Sequence, residues 1–203
     1  MGAVIRAIIL AAGASSRIGR PKAALPLRHR GDTFLARIIR TLFDAGLPEI
    51  VVVTGAAAEV VRQAAGRVDR RVRFAYNAHW EVGQLSSLLA GLSGSAALTE
   101  AALVTLVDVP LVNASTVRKV VHQWRLSRAP IVRPSNRERH GHPVIFDRTL
   151  FEALRAADPN VGAKAVVRAH QDTTVNVPVD DPGAFLDIDT DEEYRAALRQ
   201  LRH

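Results

Sequence analysis

The feature that most restricts the fold of this 203-residue chain is an alternation of short apolar runs with helical segments. The runs with the character of buried strands are residues 4–10, 50–54, 72–76, 102–107, 131–133 and 143–146. The segments with helical periodicity are residues 32–45, 57–65, 84–92, 115–124 and 191–201. Strands that alternate with helices favour a parallel sheet covered on both faces. The sequence therefore predicts an α/β, Rossmann-like fold with a mostly parallel sheet.

The length and the 48% apolar content suit one domain with a full core, which we place over residues 1–203. Residues from about 133 to 177 are less regular. We expect them to form a lobe over the carboxyl ends of the strands, where open α/β sheets bind ligands.

The composition excludes several classes of function. Because the chain has no cysteine, it offers no disulfide, thiolate nucleophile or cysteine metal site. The longest apolar stretches, 7–14 and 102–107, are too short to cross a bilayer, and the N-terminus lacks a signal-peptide pattern. The net charge of +7 comes from scattered basic residues, and only 5% of residues are aromatic. We therefore expect a cytoplasmic protein with neither a membrane nor a nucleic acid as its partner.

A loop of small residues follows the first predicted strand directly, with the sequence L-A-A-G-A-S-S-R-I-G-R-P-K from residue 10 to residue 22. Small residues let backbone N–H groups approach phosphate oxygens. Arg17 and Lys22 supply positive charge for a triphosphate and a departing pyrophosphate. The alternative is an ordinary tight turn with surface basic residues. The full spacing, with one of only three lysines in the chain, favours a nucleotide loop.

Two groups of aspartates could bind a metal ion. Asp108 follows the strand at 102–107 and precedes a proline, so it should project into the ligand cleft. Mg²⁺ prefers one or two carboxylates with phosphate oxygens and water. The alternative for Asp108 is a turn or helix cap. Asp187 and Asp189 offer a second carboxylate on one face of an extended stretch, although Thr190 and Glu193 also have the spacing of a helix capping box.

The loop pattern L-A-A-G-x-S-x-R-x-G-x-x-K resembles the signature loop of the MobA-like NTP transferases. Later motifs that extend the resemblance, in family order, lie at residues 83–88, 108–110, 141–143, 162–164 and 187–190. Together they span residues 8 to 195 and are most similar to the molybdenum cofactor cytidylyltransferases and their relatives. The resemblance implies a nucleotidyltransferase fold of the nucleotide-diphospho-sugar transferase type.

The resemblance also implies a reaction and its partners. An acceptor phosphate would attack the α-phosphorus of CTP, with Mg²⁺ as cofactor and pyrophosphate as product. Catalysis would depend on Arg17, Lys22 and Asp108, with Asp108 and Asp189 as metal ligands and Asp187 as the alternative. The acceptor would be molybdenum-bound molybdopterin, and a molybdoenzyme or its maturation factor would be a further partner. GTP, another phosphorylated acceptor, or a non-catalytic cofactor chaperone remain alternatives.

By the same resemblance, the nucleotide lies between the first loop and the segment after strand three. The residues implied in nucleotide binding are Leu10, Ala11, Ala12, Gly13, Ala14, Ser15, Arg17, Lys22, Gly83 and Ser87. Guanylyl-transferring relatives have glycine where this chain has Ala12, whose methyl group should crowd a purine and favour CTP. For Ser87, the start of an amphipathic helix is a competing explanation.

The resemblance places His142 and Lys164 near the acceptor, on the side of the lobe at 133–177. The histidine pair at 140 and 142 lacks a third ligand at zinc spacing, so a loop with a rigid proline step is the better interpretation. The family more often has Gly-Asp-x-Gly-Ala-Arg where this chain reads D-P-N-V-G-A-K from 158 to 164. Lysine keeps the charge but loses the arginine fork, so we expect the acceptor site to differ.

Overall fold

The computed structural model describes residues 4–28, 32–67, 69–93, 99–137 and 139–201. Within these ranges the strands are β1 (Val4–Ala11), β2 (Ile50–Thr54), β3 (Val72–Tyr76), β4 (Thr99–Leu106), β5 (Ile131–Asn136), β6 (Arg139–His140), β7 (Val144–Asp147) and β8 (Thr174–Pro178). The α-helices are α1 (Phe34–Asp44), α2 (Ala58–Ala64), α3 (Gln84–Leu92), α4 (Ala114–Ser127), α5 (Phe151–Ala156), α6 (Ala163–Ala169) and α7 (Asp191–Gln200). None of the helices in these ranges has the length and apolar character needed to cross a membrane.

The strands form one sheet in the order β3-β2-β1-β4-β7-β5-β6, and β8 pairs with β5. Strands β1 to β4 are parallel where they pair, whereas β7 runs antiparallel to both β4 and β5. This confirms the predicted mostly parallel α/β fold. Because β1 and β4 are parallel neighbours, the loop after β1 and the turn after β4 leave the sheet at the same edge.

Successive side chains of β1 pack alternately into two separate cores, as expected for a strand that is covered on both faces. Ile5 and Ile9 pack with α1, α2 and α4 on one face of the sheet. Ile8 and Leu10 pack with α3, α5 and α6 on the other face. The near-continuous burial of β1 explains why its sequence shows no polar alternation beyond Arg6.

A third, smaller cluster fixes the loop after β1 against the C-terminal part of the chain. Ile18 of the loop packs in it with Phe34 of α1, and with Ile188 and Tyr194 near and in α7. The backbone N–H of Ile188 also donates to the carbonyl oxygen of Asp108 at 2.9 Å. These contacts hold three segments that are distant in sequence at one edge of the sheet.

The helix boundaries differ slightly from the predicted ones. The helix predicted at 32–45 runs over Phe34–Asp44, and Thr33 is its N-cap, accepting a hydrogen bond from the backbone N–H of Ala36. The 133–177 region is more regular than its sequence indicated, since β6, α5, α6 and β8 lie in it. These elements are two to seven residues long, too short for a periodic pattern to reveal.

Candidate functional site

The loop after β1 turns back on itself at Ser15. Ser15 has a left-handed backbone (φ 55°), and its carbonyl oxygen accepts from the N–H groups of Ile18 and Gly19 at 3.2 and 3.0 Å. The Ser15 hydroxyl accepts from the backbone N–H of Lys22 at 3.1 Å. This folding directs Lys22 inward, where only 8% of its side chain is exposed.

Lys22 joins the two carboxylates that the sequence predicted as metal ligands. Its ammonium group donates to Asp108 Oδ2 at 3.0 Å and to Asp189 Oδ1. The Arg17 guanidinium pairs with Asp189 Oδ2 at 2.7 Å and is 70% exposed. Burial opposes ionisation of Asp189, but the hydrogen bonds and charges of Lys22 and Arg17 lower its pKa below the ordinary value. Two cations and two carboxylates therefore converge at the carboxyl ends of β1 and β4.

The residues of this cluster fit a hard divalent cation. Asp108 Oδ1 is buried and has no hydrogen-bond partner, which is costly unless a ligand satisfies it. Asp108 and Asp189 both reach the same ammonium group, so their carboxylates are close enough to share one cation. No group of three histidine or acidic side chains suited to a metal occurs in the described part of the chain. A metal here would complete its coordination with phosphate oxygens and water, as Mg²⁺ does.

Asp187, the alternative ligand, interacts electrostatically with Asp108 and Lys22 of the same cluster. Burial raises the pKa of Asp187, and the negative charge of Asp108 raises it further, while His142 and Lys22 oppose the rise. The assignment of the second metal ligand to Asp189, with Asp187 as the alternative, stays a prediction.

A cavity of about 420 Å³ opens over the cluster. The predicted residues that line it are Leu10, Ala12, Gly13, Ala14, Ser15, Arg17, Lys22, Gly83, Ser87, Asp108 and Asp189. Ala11 does not line it: its side chain packs in the core on the opposite face of the sheet, because successive strand residues face opposite sides. The lining residues that the sequence analysis missed are Ser16, Trp80, Glu81, Gln84, Leu106 and Val107.

Asn77, which the sequence analysis also missed, forms hydrogen bonds that hold the segment between β3 and α3 beside the cavity. The Asn77 amide donates to the hydroxyls of Ser86 and Ser87 at 2.9 and 3.1 Å, and its Oδ1 accepts from the backbone N–H of His79 at 2.9 Å. A polar residue directly after the predicted strand at 72–76 was the available signal. Asn77 is buried, and its two hydrogen bonds to serines of the first turn of α3 fix the start of that helix.

A second cavity of about 800 Å³ adjoins the first and shares Leu10, Gly83, Gln84 and Leu106 with it. His142 and Lys164, the predicted acceptor residues, line this second cavity and not the first. Arg133 and Arg168 also line it, and the described residues that line it include no acidic side chain. The cavity is therefore suited to an anionic ligand.

His142 lines the second cavity, where burial favours the neutral form of its imidazole. Burial lowers the pKa of His142, and the opposing effects of Asp187, Asp108 and a hydrogen bond with the Val104 backbone do not reverse the shift. Its Nδ1 is buried without a hydrogen-bond partner. A neutral imidazole with a free nitrogen can hydrogen-bond a polar ligand in the cavity.

The fold and the site together define a class: an α/β domain with a polar cavity at the carboxyl ends of parallel strands, beside paired cations and carboxylates. The chain belongs to the MobA-like NTP transferase domain family, whose domain matches residues 7–174. This confirms the resemblance that the loop and the later motifs indicated.

Two relatives align with nearly the whole chain. It is 32% identical over 199 residues to the nicotine blue oxidoreductase of Paenarthrobacter nicotinovorans, with 94% of this chain and 95% of the relative covered. It is 25% identical over 194 residues to the molybdenum cofactor cytidylyltransferase of Escherichia coli (strain K12), with 95% of each covered. The structure of Rv0371c from Mycobacterium tuberculosis H37Rv, in complex with manganese, matches with a TM-score of 0.79 at 26% identity, over 98% of this chain and all of that chain.

Glu193 supports the position of Asp189, and we predict a pH-dependent contribution from it. Its carboxylate accepts from the backbone N–H groups of Asp189 and Thr190, both at 2.8 Å, and these bonds lower its pKa below the ordinary value of a glutamate. A lowered pKa means that the charge stabilises the folded state above the unfolded pKa and that this effect is lost as pH falls through the folded pKa. Glu193→Gln is therefore expected to lower the free energy of unfolding by about 0.5 kcal/mol at neutral pH.

Urea unfolding of both proteins across the acidic range checks this prediction. The difference should shrink to zero at low pH, because glutamine keeps the hydrogen-bond acceptor and removes only the charge. A difference that persists unchanged at low pH would assign the effect to packing. Glu192→Gln, an exposed neighbour on the first turn of α7, is the matched control.

Proposed function

We propose that the protein is a Mg²⁺-dependent cytidylyltransferase of the cytoplasm that transfers CMP from CTP to molybdenum-bound molybdopterin and releases pyrophosphate. The observation that carries this proposal is the convergence of Lys22 on Asp108 and Asp189 beside the glycine loop. The relative that is named a molybdenum cofactor cytidylyltransferase supports the choice of nucleotide and acceptor.

In this reaction an oxygen of the acceptor phosphate forms a bond to the α-phosphorus of CTP. The bond between the α-phosphorus and the bridging oxygen of the β-phosphate breaks, and pyrophosphate leaves with both electrons of that bond. An ionised phosphate needs no general base. Arg17 and Lys22 would bind the triphosphate and stabilise the charge that develops on the departing pyrophosphate. Their present partners, Asp108 and Asp189, must then be neutralised in another way.

Mg²⁺ bound to Asp108 and Asp189 would supply that neutralisation and polarise the phosphate oxygens. The buried, unpartnered Asp108 Oδ1 supports this role, since ligation would satisfy it. The second cavity would hold the acceptor. Lys164 and Arg168 would bind its phosphate there, and His142 would hydrogen-bond its pterin.

Pyrophosphate release tests the proposal, with Mg²⁺, molybdenum-loaded molybdopterin and CTP, GTP or ATP offered separately. Release with CTP alone, together with a cytosine dinucleotide product, is the expected result. Release with GTP alone would overturn the base assignment. Nucleotide binding without release would favour another phosphorylated acceptor or a cofactor chaperone.

The base preference can be tested at Ala12. Ala12 lines the nucleotide cavity with only 4% of its surface exposed. Removing its methyl group is expected to reduce the preference for CTP over GTP about 10-fold, since one methylene in a pocket is worth about 1–3 kcal/mol of discrimination. The ratio of kcat/KM values for CTP and GTP in Ala12→Gly checks this. Ala11→Gly, whose methyl group lies in the opposite core, is the matched control, and an unchanged ratio in Ala12→Gly would refute the assignment.

A second candidate function is an oxidoreductase activity, which is favoured by the 32% identity to a protein named nicotine blue oxidoreductase. The two cavities, which share four lining residues, offer space for a redox dinucleotide and a substrate side by side. Oxidation of NADH or NADPH in the presence of a quinoid dye tests this function. Asp108→Asn separates the two candidates, because hydride transfer needs no metal-bound triphosphate and should survive the substitution.

A further inference from the structure

We infer that Trp80 is the side chain that contacts the nucleobase, an inference that deepens the proposed function. The cationic groups of the nucleotide cavity are grouped with Asp108 and Asp189, where they suit phosphate. Trp80 is the one aromatic side chain among the described residues that line this cavity. Nucleobases stack on aromatic rings, so Trp80 is the lining side chain suited to contact a base.

The side chain of Trp80 packs closely against Gly55. Gly55 is buried at the end of β2, and a Cβ added there would lie 2.7 Å from the Trp80 Cβ and 2.8 Å from its Cγ. The same Cβ would lie 2.6 Å from the carbonyl oxygen of Ala12. Only glycine at position 55 therefore lets both Trp80 and the backbone of Ala12 pack directly against this residue. Gly55 does not need a special backbone angle, so close packing is the physical reason for its identity.

Hydrogen bonds anchor both ends of the segment that carries Trp80. The backbone N–H of Asn77 donates to the Thr54 carbonyl at 2.8 Å, which ties the start of the segment to β2. Its far end is closed by the Ser86 hydroxyl, 2.8 Å from the carbonyl oxygens of both His79 and Gly83. A pre-positioned aromatic wall binds a base with little loss of conformational entropy.

The chain provides a direct optical test, because it has only two tryptophans. Trp124 is fully buried in the core formed with α1, α2 and α4, whereas Trp80 packs against the core on the other face of the sheet. The Trp124 indole donates to Asp147 Oδ2 at 3.2 Å. A fluorescence change on nucleotide binding must therefore come mainly from Trp80. CTP is expected to quench the wild-type protein saturably and to leave the Trp80→Phe fluorescence unchanged, although equilibrium dialysis still detects CTP binding to this variant.

Affinity measurements separate base contact from a merely structural role. Trp80→Ala is expected to weaken CTP binding about 10-fold, a typical loss for a stacked base, and to leave the affinity for inorganic tripolyphosphate unchanged. Tyr76→Ala is the matched control, since this exposed aromatic residue lies at the end of β3 and does not line the cavity. Equal weakening of CTP and tripolyphosphate in Trp80→Ala would overturn the inference.

The same measurements distinguish this inference from the proposed function. CTP binding that quenches Trp80 without pyrophosphate release would sustain the inference and overturn the cytidylyltransferase proposal. Pyrophosphate release from CTP, with neither quenching nor any effect of Trp80→Ala, would sustain the proposal and overturn the inference.

Discussion

Asp108→Asn is expected to lower kcat for pyrophosphate release by about 1000-fold while the fold stays intact. The Asp108 carboxylate lies at the carboxyl end of β4, with one oxygen on Lys22 and the other buried without a partner. Asparagine has the same shape but removes the charge that a divalent cation requires. Because Oδ1 makes no hydrogen bond in the folded protein, its replacement removes no stabilising contact there. Asp108→Ala should abolish turnover in the same way.

Single-turnover assays with saturating CTP, together with thermal unfolding, check this expectation. The control is Asp172→Asn, which changes an exposed aspartate on a short turn before β8. Near-normal turnover in Asp108→Asn would remove Asp108 from the metal site. An unfolded variant would instead indicate that the Lys22 contact is mainly structural.

Lys22→Met is expected to lower kcat/KM for CTP by between about 100- and 1000-fold, because the methionine fills the space but carries no charge for the triphosphate. Lys22 is also the cation that separates Asp108 from Asp189. Without it, the two carboxylates repel each other and attract a metal ion more strongly. Binding of Mn²⁺ in the absence of nucleotide is therefore expected to become about 10-fold tighter in this variant.

Activity assays and Mn²⁺ titration followed by electron paramagnetic resonance measure these two opposite changes. Lys119→Met, on the exposed face of α4, is the matched control and should alter neither. If Mn²⁺ binding weakened together with activity, Lys22 would be supporting the carboxylates and not competing with the metal ion for them.

Much of the fold and the candidate site could be predicted because the signals were local. The alternation of apolar runs with helical segments reflects burial on both faces of the sheet, which leaves β1 and β2 almost free of polar residues. Ser15 and Lys22 were recognisable as nucleotide-loop residues because they lie only seven residues apart, in one loop where they contact each other directly. The capping box at Thr190 and Glu193 was likewise predicted from spacing and is present.

The remainder depends on contacts between distant segments. Trp80 could not be assigned to the cavity from the sequence, because its position follows from packing on Gly55, which comes directly after β2. The placement of Ala11 away from the cavity follows from the phase of β1, which a resemblance of loop sequences does not specify. Arg133 of β5 and Arg168 of α6 meet at the second cavity only through the tertiary fold, since they are distant in sequence.

The contact between Lys22 and Asp189 joins residues that are 167 positions apart. A partly synthesised chain that already carries the nucleotide loop, β4 and Asp108 still lacks this second carboxylate and the Ile188 contact that presents it. If Asp189 is a metal ligand, as proposed, the metal site is completed only after the nucleotide loop and β4 have been synthesised. Cleavage between α6 and α7 would separate the proposed second metal ligand from the segment that carries the other residues lining the nucleotide cavity.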